Sequence, residues 1–279
     1  MKAAQARVLL TGACGCIGRA VADSLLQAGA ALLLVGRSPA RLAAQVHELG
    51  QRHGVEPARL RWVATDLAQA ERLRPLAEIA ADWGCNVLVH GAGAPSFGRL
   101  ETLEPAAIRQ LLDINLLAPM LLSQALLPHL RCQPRAQIIC MGSALGRLGL
   151  PGFSAYSASK FGLRGFAEAL RRELGDSRVR VQYLGPRSTR TEFNNAGVQA
   201  YNRATGTAMD APERVAQALL RLLESEGAER FIGFPETLAV RLNGLAGPLL
   251  DGAFTKHRRS LPPLLQQPSP DGAPATLTC

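Results

Sequence analysis

Long apolar runs are missing from this 279-residue sequence, which limits where the chain can lie. No run reaches the roughly eighteen residues that a membrane-spanning helix needs. The first residues, Met1 to Arg7, also lack the apolar core of a secretory signal peptide. We therefore expect a cytoplasmic protein built around one large α/β unit.

Cysteine is present but lacks the spacing of a metal site. Of the six cysteines, only Cys14 and Cys16 are close together, and no second pair matches them. A tetrahedral zinc site would need that second pair of ligands. The sequence therefore predicts no metal, and it predicts free thiols in a reducing compartment.

Acidic and aromatic residues are both scarce. The 31 Lys and Arg exceed the 22 Asp and Glu, which gives a formal charge of +9, and aromatic residues make up only 5% of the chain. Nucleic-acid-binding surfaces interleave basic and aromatic side chains, whereas these arginines are spread over helix faces and ends. We expect no nucleic-acid partner. An acidic substrate, a phosphorylated cofactor or an acidic carrier protein would suit the positive field.

Short apolar runs alternate with segments of helical periodicity along most of the chain. Because the runs are almost continuously apolar, they predict strands buried on both faces, as in a parallel sheet. The predicted fold class is therefore α/β: a Rossmann-type, doubly wound, seven-stranded parallel sheet flanked by helices. The predicted strands are residues 7–10, 31–35, 60–64, 85–89, 137–141, 179–184 and 230–234.

Further expectations concern the connections and the boundaries. The helix predicted over residues 101–130 is interrupted at Pro119 and Pro128, since proline removes a helix hydrogen bond. Residues 185–209 are predicted to be irregular. The main domain is predicted to span 1–235, followed by an amphipathic appendage over 236–260 and a disordered tail, rich in Pro and Gln, over 261–279.

A glycine-rich turn follows the first predicted strand. Its sequence is Thr11-Gly12-Ala13-Cys14-Gly15-Cys16-Ile17-Gly18, and a helix begins directly after it. Glycines let backbone N–H groups approach a pyrophosphate, and the helix N-terminus adds partial positive charge. The glycines alone would also fit a tight turn without a ligand. Their place after the first strand of an alternating pattern favours dinucleotide binding.

Arg37 and Ser38 follow the second predicted strand, where the adenosine ribose of a dinucleotide normally lies. A carboxylate there would bind the ribose 2′-hydroxyl of NAD, whereas an arginine and a hydroxyl offer a cation and a donor to a 2′-phosphate. This favours NADP(H) over NAD(H). The alternative is that Arg37 is an ordinary exposed loop arginine.

Tyr156 and Lys160 lie one turn apart on a predicted helix, with Ser143 thirteen residues before Tyr156. Four residues of rise put the pair about 6 Å apart on one helix face. A tyrosine with a pKa of about 10 exchanges protons poorly at neutral pH, and a cation beside it lowers that pKa. The pair is therefore a candidate for proton transfer.

Together these residues make the chain resemble a classical short-chain dehydrogenase/reductase over residues 7–234. Each motif alone is common, but their joint order and spacing are specific to that family. The resemblance implies that residues 1–235 form an NADP(H)-binding catalytic domain. The matching positions are Thr11, Gly12, Gly18, Asp66, Leu67, Ala92, Gly93, Asn115, Ser143, Tyr156, Lys160, Pro186 and Thr191.

The resemblance also implies a role for each residue of the site. Tyr156 is the general acid/base, Ser143 polarises a substrate carbonyl, Lys160 binds the nicotinamide ribose and lowers the Tyr156 pKa, and Asn115 holds a water in a proton relay. The implied reaction is the reversible, NADPH-dependent reduction of a ketone to a secondary alcohol. The implied cofactor-binding residues are Thr11, Gly12, Gly15, Ile17, Gly18, Arg37, Ser38, Asp66, Leu67, Ala92, Gly93, Tyr156, Lys160, Pro186 and Thr191.

Four positions depart from the family pattern. Cys16 stands where the middle glycine usually lies. His90 and Gly91 replace two asparagines, and we interpret His90 as a core histidine. Arg187 replaces the glycine after Pro186, and we expect its side chain to point to solvent. The alternative is that Arg187 contacts the cofactor phosphates or an anionic substrate.

The segments that would surround the substrate are residues 94–97, 145–153 and 193–209, which are mostly small, apolar or amide-bearing. They favour a lipophilic ketone or a 3-oxoacyl chain over a sugar. Two sources of substrate are open. One is an acyl thioester on an acidic carrier protein that docks on Arg131, Arg171 and Arg172, and the other is a free lipophilic ketone or alcohol.

Residues 236–259 form an amphipathic segment that ends in basic residues. Such a segment would lie on an anionic membrane, cover a lipophilic pocket, or pack on the main domain or across a subunit interface. We expect a homodimer or homotetramer, as is usual in the family. A hypothesis from a different class is a catalytically silent NADP(H)-binding sensor or scaffold protein of the same fold.

Overall fold

A computed structural model describes residues 1–233, 243–244 and 247–261, in which strands and helices alternate. The strands are β1 (Arg7–Thr11), β2 (Ala31–Gly36), β3 (Leu60–Ala64), β4 (Val87–His90), β5 (Ala136–Met141), β6 (Val179–Gly185) and β7 (Glu229–Phe231). The helices are α1 (Cys16–Gln27), α2 (Pro39–His53), α3 (Leu73–Asp82), α4 (Pro105–Leu112), α5 (Ala118–Cys132), α6 (Ser154–Glu173), α7 (Ala196–Thr205), α8 (Pro212–Ser225) and α9 (Thr255–Arg259).

The strands form one parallel sheet in the order β3-β2-β1-β4-β5-β6-β7. The order reverses direction at β1 and β4, so the carboxyl ends of these two neighbours open a crevice at the edge where ligands of such sheets bind. The predicted seven-stranded, doubly wound fold is therefore confirmed.

Both faces of the sheet are covered, which explains the continuous apolar runs. On β2, Leu32 and Leu34 face a core shared with α1, α2 and α8, while Leu33 and Val35 face a second core shared with α3, α5 and α6. Successive side chains of a strand point to opposite faces, so a strand between two helical layers needs apolar residues at every position.

The long helix that leads to β5 differs from its prediction, because Pro119 and Pro128 do not end it. A π-helical segment, Asp113–Leu117, joins α4 to α5, and the Ala118 N–H bonds to the Asp113 carbonyl five residues back. This wider turn places Pro119 in the first turn of α5, where a missing N–H costs little. Pro128 lies inside α5, which nevertheless continues to Cys132.

Among the described residues, the continuous helix Pro105–Cys132 is long and apolar enough to cross a membrane, by length and composition only. Its most apolar window has a mean hydropathy of 1.4, and 39% of that window is buried inside the protein. Polar residues interrupt the apolar sequence of this helix, so it contains no unbroken apolar run of about eighteen residues. Its buried face, which includes Leu122, Leu126 and Leu130, packs into the core beside the sheet.

The stretch predicted to be irregular, residues 185–209, contains a helix. Asn195 caps the N-terminus of α7 by accepting a hydrogen bond from the Val198 N–H at 3.0 Å, and Gly206, with φ of +75°, ends the helix. The helix is polar and short, so its apolar periodicity is weak. The sequence feature that could have predicted this helix is its pair of caps, Asn195 and Gly206.

The predicted appendage lies only partly within the described residues. Residues 247–254 form a 3₁₀ helix that leads into α9, and α9 contacts α7. The predicted end of the last strand at residue 234, residues 235–242 and 245–246, and the predicted tail from 262 onward lie outside the described residues.

Candidate active site

Two glycines of the first turn are required by close backbone packing. Gly12 has φ of +70°, and a Cβ atom there would lie 2.7 Å from the backbone of Ala92. A Cβ atom on Gly18 would lie 2.2 Å from the Gly12 carbonyl oxygen. The turn after β1 is therefore packed tightly against the segment that follows β4, and only glycine fits at both positions.

Thr11 ties the ends of these two strands together. Its hydroxyl donates to the Val89 carbonyl at 3.3 Å and accepts from the N–H groups of Gly91 and Ala92 at 3.0 and 3.2 Å. Gly93 follows, and a Cβ atom placed on it would lie 3.4 Å from Asn115 Oδ1 and 3.7 Å from Lys160 Nζ. The segment after β4 thus connects the glycine turn to the candidate catalytic residues.

The N-terminus of α1 fits an anionic group such as a pyrophosphate. Its N-cap is Gly15, which supplies no side-chain cap, and the helix begins at Cys16 beside the exposed Gly15. The first N–H groups of the helix, including that of Ile17, therefore rely on a ligand or solvent. A Cβ atom at Gly15 would have only the Gly12 carbonyl near it, at 3.5 Å, so the approach is open.

Basic residues lie at the end of β2, as the sequence predicts. Arg37 is exposed, and Ser38 caps α2 by accepting a hydrogen bond from the Arg41 N–H at 3.3 Å. The Arg41 guanidinium donates to the Cys14 carbonyl at 2.9 Å. The residues predicted to bind the cofactor did not include Arg41. Its position in the first turn of α2, facing the glycine turn, could have indicated that it belongs with them.

Asn115 is fully buried in the π-helical segment between α4 and α5. Its Oδ1 accepts from the Ala94 N–H at 2.7 Å, and its Nδ2 donates to the Ala94 carbonyl and to Ser159 Oγ, each at 3.1 Å. The side chain therefore links the loop after β4 to α6. Asp66, after β3, closes a turn by accepting from the Ala68 N–H at 3.1 Å, next to Leu67.

Ser143, Tyr156 and Lys160 converge where β5 meets α6. Ser143 caps a short 3₁₀ turn, since its Oγ accepts from the Leu145 N–H at 3.1 Å. Lys160 is 3% exposed, and its Nζ donates to the Met141 carbonyl at 3.3 Å and lies 5.8 Å from the centre of the Tyr156 ring. The expected shared face of Tyr156 and Lys160 is therefore present.

The pKa of Tyr156 shifts in the opposite direction to the expectation. Burial raises the pKa of Tyr156 to about 12, although a hydrogen bond with the Ser143 side chain lowers it in part. Burial also lowers the pKa of Lys160 to about 8, against a raising influence of Cys140. Burial outweighs the influence of Ser143, and the lowering of the Tyr156 pKa that was expected from Lys160 is not seen in this structure. At neutral pH the phenol carries its proton.

Aromatic rings form a wall beside Tyr156, and they come from the three segments that the sequence placed around the substrate, residues 94–97, 145–153 and 193–209. The Phe153 ring lies 6.4 Å from the Tyr156 ring, 4.9 Å from Phe97 and 5.6 Å from Tyr201, and the Phe193 ring lies 6.0 Å from Tyr156. No local pattern links these rings, so only folding brings them together.

Helix α9 extends this wall. His257 Nδ1 lies 2.7 Å from the Tyr201 hydroxyl, which also donates to the Pro151 carbonyl at 3.2 Å. The Phe254 ring lies 5.9 Å from His257. A cavity of about 310 Å³ lies beside Phe254 and is lined by Gly149, Pro151, Asp251, Phe254, Thr255 and Arg258.

Two departures from the family pattern resolve differently. His90 is buried, its Nε2 lies 2.8 Å from Ser123 Oγ, and burial lowers its pKa to about 3, so its interpretation as a core histidine is confirmed. Arg187 was expected to point to solvent, and this is wrong. Its side chain is 11% exposed and donates to Asp210 Oδ1 at 2.8 Å, because a bridge between Thr189 and Asp210 brings the carboxylate alongside.

The last two predicted cofactor residues lie in the segment after β6. The Pro186 carbonyl accepts from the Ala144 N–H at 2.8 Å, next to Ser143. The Thr191 hydroxyl donates to the Thr189 carbonyl at 3.4 Å and accepts from the Phe193 N–H at 3.3 Å. Thr191 thus leads the chain from β6 to the aromatic wall.

Comparison with known proteins gives consistent results. Dehydrogenase/reductase SDR family member 7B of Xenopus tropicalis is 32% identical over 254 residues, which are 86% of this chain and 81% of that protein. The 3-ketodihydrosphingosine reductase of Bos taurus is 29% identical over 226 residues, 77% of this chain and 68% of that protein. The structure of an alcohol dehydrogenase from the archaeon Thermococcus sibiricus, complexed with 5-hydroxy-NADP, superposes with a TM-score of 0.71 at 26% identity, covering 81% of this chain and 95% of that one.

The sequence profile of the short chain dehydrogenase family matches residues 6–202, which include the glycine turn, Asn115, Ser143, Tyr156 and Lys160. The fold, the order of the strands and the sequence relatives agree with this match. The chain is an oxidoreductase that belongs to the classical short-chain dehydrogenase/reductase family.

Proposed function

We propose that this protein reduces a lipophilic ketone with NADPH and catalyses the reverse oxidation of the secondary alcohol. The observation that carries the proposal is the convergence of Ser143, Tyr156 and Lys160 at the carboxyl edge of the sheet, next to the glycine turn. A hydroxyl, a neutral phenol and a buried ammonium supply the donors that a developing alkoxide requires.

The cofactor would supply a hydride to the carbonyl carbon when it is bound. The N-terminus of α1 and its glycine turn would hold the pyrophosphate, and Lys160 would hold the nicotinamide ribose. Arg37, with Arg41 beside it, offers cations to a 2′-phosphate at the end of β2. The preference for NADP(H) over NAD(H) is supported by these cations and by the absence of a carboxylate between Gly36 and Arg41.

The residues of the site would then manage the proton. The Ser143 hydroxyl accepts from the Leu145 N–H, so its own proton is left to donate to the substrate oxygen. Because burial raises the pKa of Tyr156 to about 12, the phenol is protonated at neutral pH and can give its proton to the alkoxide. Lys160 would share in the relay that returns a proton to Tyr156, with a water held near Asn115.

The aromatic wall supports a lipophilic substrate. Phe97, Phe153, Phe193 and Tyr201 place apolar ring surface beside Tyr156, and such surface favours apolar ligands with a few polar anchors. One relative, 3-ketodihydrosphingosine reductase of Bos taurus, is named for a ketone substrate. We infer that the reacting ketone lies on a long apolar chain or an apolar ring.

Two of the three arginines considered for carrier docking lie far from Tyr156. Arg171 and Arg172 are at the other end of α6, about 22 Å along its axis. Arg172 is also paired with Glu168 at 2.6 Å. A free lipophilic ketone is therefore favoured over a carrier-bound acyl thioester.

Replacing Tyr156 by Phe tests the proposal. We expect turnover of ketones to fall by about a hundredfold or more, because the variant lacks the proton donor. The affinity for NADPH, measured by fluorescence titration, should stay unchanged. Turnover would be followed by NADPH oxidation in a screen of long-chain and cyclic ketones.

Two results would contradict the proposal. If the Tyr156→Phe variant reduced a confirmed substrate at the wild-type rate, Tyr156 would not be the acid. If the wild-type protein bound NADPH but oxidised none with any ketone in the screen, the sensor or scaffold hypothesis would replace the enzyme hypothesis.

Cytoplasmic location and membrane contact through residues 236–259 stay predictions.

A further inference from the structure

Tyr183 is a buried tyrosine that the mechanism above does not use. It lies near the end of β6, opposite Cys140 of β5, and is 1% exposed. Its hydroxyl donates to the Ser143 carbonyl at 3.0 Å and accepts from the Ser143 N–H at 3.0 Å. One phenol therefore holds both main-chain polar groups of Ser143.

The residues on either side of Ser143 are held differently. The Gly142 N–H donates to the Leu184 carbonyl at 2.7 Å, and the Ala144 N–H donates to the Pro186 carbonyl at 2.8 Å, so both continue the β5–β6 ladder. Ser143 lies between them, and its N–H donates to the Tyr183 side chain. Its carbonyl accepts from the Tyr183 hydroxyl and also from the Gly146 N–H at 3.0 Å. Without the phenol, the buried N–H would lose this bond, and the carbonyl would keep only the one from the Gly146 N–H.

The neighbouring glycines make room for the phenol. A Cβ atom on Gly142 would lie 2.0 Å from the Tyr183 hydroxyl oxygen, and one on Gly146 would lie 2.1 Å from the same atom. No side chain can be added at either position unless the ring moves. The ring and the two glycines therefore form one packed unit around Ser143.

The phenol is also in the right protonation state for this task. Burial raises the pKa of Tyr183, although its hydrogen bonds with the Ser143 backbone lower it in part. A neutral phenol can donate and accept at the same time, whereas a phenolate could not donate to the Ser143 carbonyl.

We propose that Tyr183 is a positioning residue that fixes the Ser143 backbone, so that the Ser143 hydroxyl faces Tyr156 and the substrate oxygen. This rests on the proposed role of Ser143 in ketone reduction. Ser143 is extended, with φ of −160° and ψ of 161°, and its Oγ is directed by the Leu145 N–H. Releasing the backbone would let that hydroxyl turn away from the reacting atoms.

Replacing Tyr183 by Phe removes only the hydroxyl and keeps the ring. We expect kcat for ketone reduction to fall about tenfold to a hundredfold, as a small misplacement of a catalytic group does. The KM for NADPH should stay unchanged, since Tyr183 does not reach the glycine turn. A Gly142→Ala variant should lose kcat in the same way, because its methyl group would displace the ring.

Ser177→Ala is the matched control. The Ser177 hydroxyl also bridges two main-chain groups, since it donates to the Leu174 carbonyl at 2.8 Å and accepts from the Val179 N–H at 3.2 Å. It lies just before the start of β6, away from Ser143. We expect the control to lose stability much as Tyr183→Phe does, but to keep kcat.

Amide hydrogen exchange provides a measurement that needs no substrate. In Tyr183→Phe, the Ser143 amide should exchange about tenfold faster, while the Ala144 amide, held by Pro186, should not change. An unchanged Ser143 exchange rate would overturn the proposal. So would faster exchange combined with wild-type kcat on a ketone that Tyr156→Phe fails to reduce. If wild-type protein reduces no ketone, the proposed function fails, and the exchange rates still decide whether Tyr183 holds Ser143.

Discussion

At the scale of single residues, burial sets the proton chemistry of the site. Lys160 was expected to lower the pKa of Tyr156, yet burial raises the pKa of Tyr156 to about 12 and lowers the pKa of Lys160 to about 8. Burial disfavours the charged form of each group, so one pKa rises and the other falls. Of these two groups, Lys160 is therefore the one whose charge changes near pH 8.

This predicts a pH dependence for the free enzyme. The ammonium of Lys160 is protonated below about pH 8, and it loses its proton as the pH rises through that value. We expect kcat/KM for NADPH to be level at lower pH and to fall with an apparent pKa of about 8. The measurement is a steady-state pH series with a confirmed ketone.

Lys160→Arg serves as the control for this prediction. A guanidinium stays charged throughout the series, so the variant should lose the inflection even where its rate is lower. A level wild-type profile from pH 6.5 to 9 would show that Lys160 does not control the reaction in this range.

At the scale of elements, the sequence predicted most helices and strands, and its errors have local causes. Pro119 was expected to interrupt a helix, because proline has no N–H to donate. The π-helical segment Asp113–Leu117 instead places Pro119 in the first turn of α5, where an N–H is not needed, and the same segment contains the buried Asn115. The helix α7 was missed because it is short and polar. Elements with strong apolar periodicity were predicted within a few residues, since the core imposes that period.

The turn between β1 and α1 gives a prediction for one element. Gly18→Ala would bring a methyl group to 2.2 Å from the Gly12 carbonyl, so the turn must distort. We expect NADPH affinity to fall about tenfold or more, since the backbone N–H groups would no longer meet the pyrophosphate. Fluorescence titration with NADPH measures this change.

Gly50→Ala is the comparison for that substitution. Gly50 lies inside α2, and a Cβ atom there would have nothing within 4 Å. We expect this variant to keep its NADPH affinity and to gain about 0.5–1 kcal/mol in the free energy of unfolding. Equal NADPH affinity in both variants would contradict the role given to the turn.

At the scale of the whole molecule, an apolar surface lies over the helices next to the site. Leu117 and Phe161 are each 42% exposed and Met120 is 39% exposed, on the neighbouring segments α4–α5 and α6. Isolated exposed apolar side chains are ordinary, but a cluster of large ones marks an interaction surface. We propose this surface as the interface of the homodimer or homotetramer, which stays a prediction.

We therefore expect the double substitution Leu117→Glu and Phe161→Glu to lower the molecular mass in solution. Charges placed in a packed apolar interface cost more than the contacts return. Light scattering after gel filtration measures the mass. Trp62→Gln, on the edge strand β3 at the far end of the sheet, should leave the mass unchanged. A wild-type monomer would contradict the prediction.

The sequence by itself determined the order of strands and helices, the glycine turn and the spacing of Tyr156 and Lys160. Each of these depends on neighbours along the chain, through strand or helix period and turn chemistry. Only the tertiary structure showed how the rings of the aromatic wall pack together and that Arg187 pairs with Asp210. It alone also showed the hydrogen bonds between Tyr183 and Ser143 and the directions in which the pKa values of Tyr156 and Lys160 shift. These depend on burial and on contacts between distant segments, which no local pattern carries.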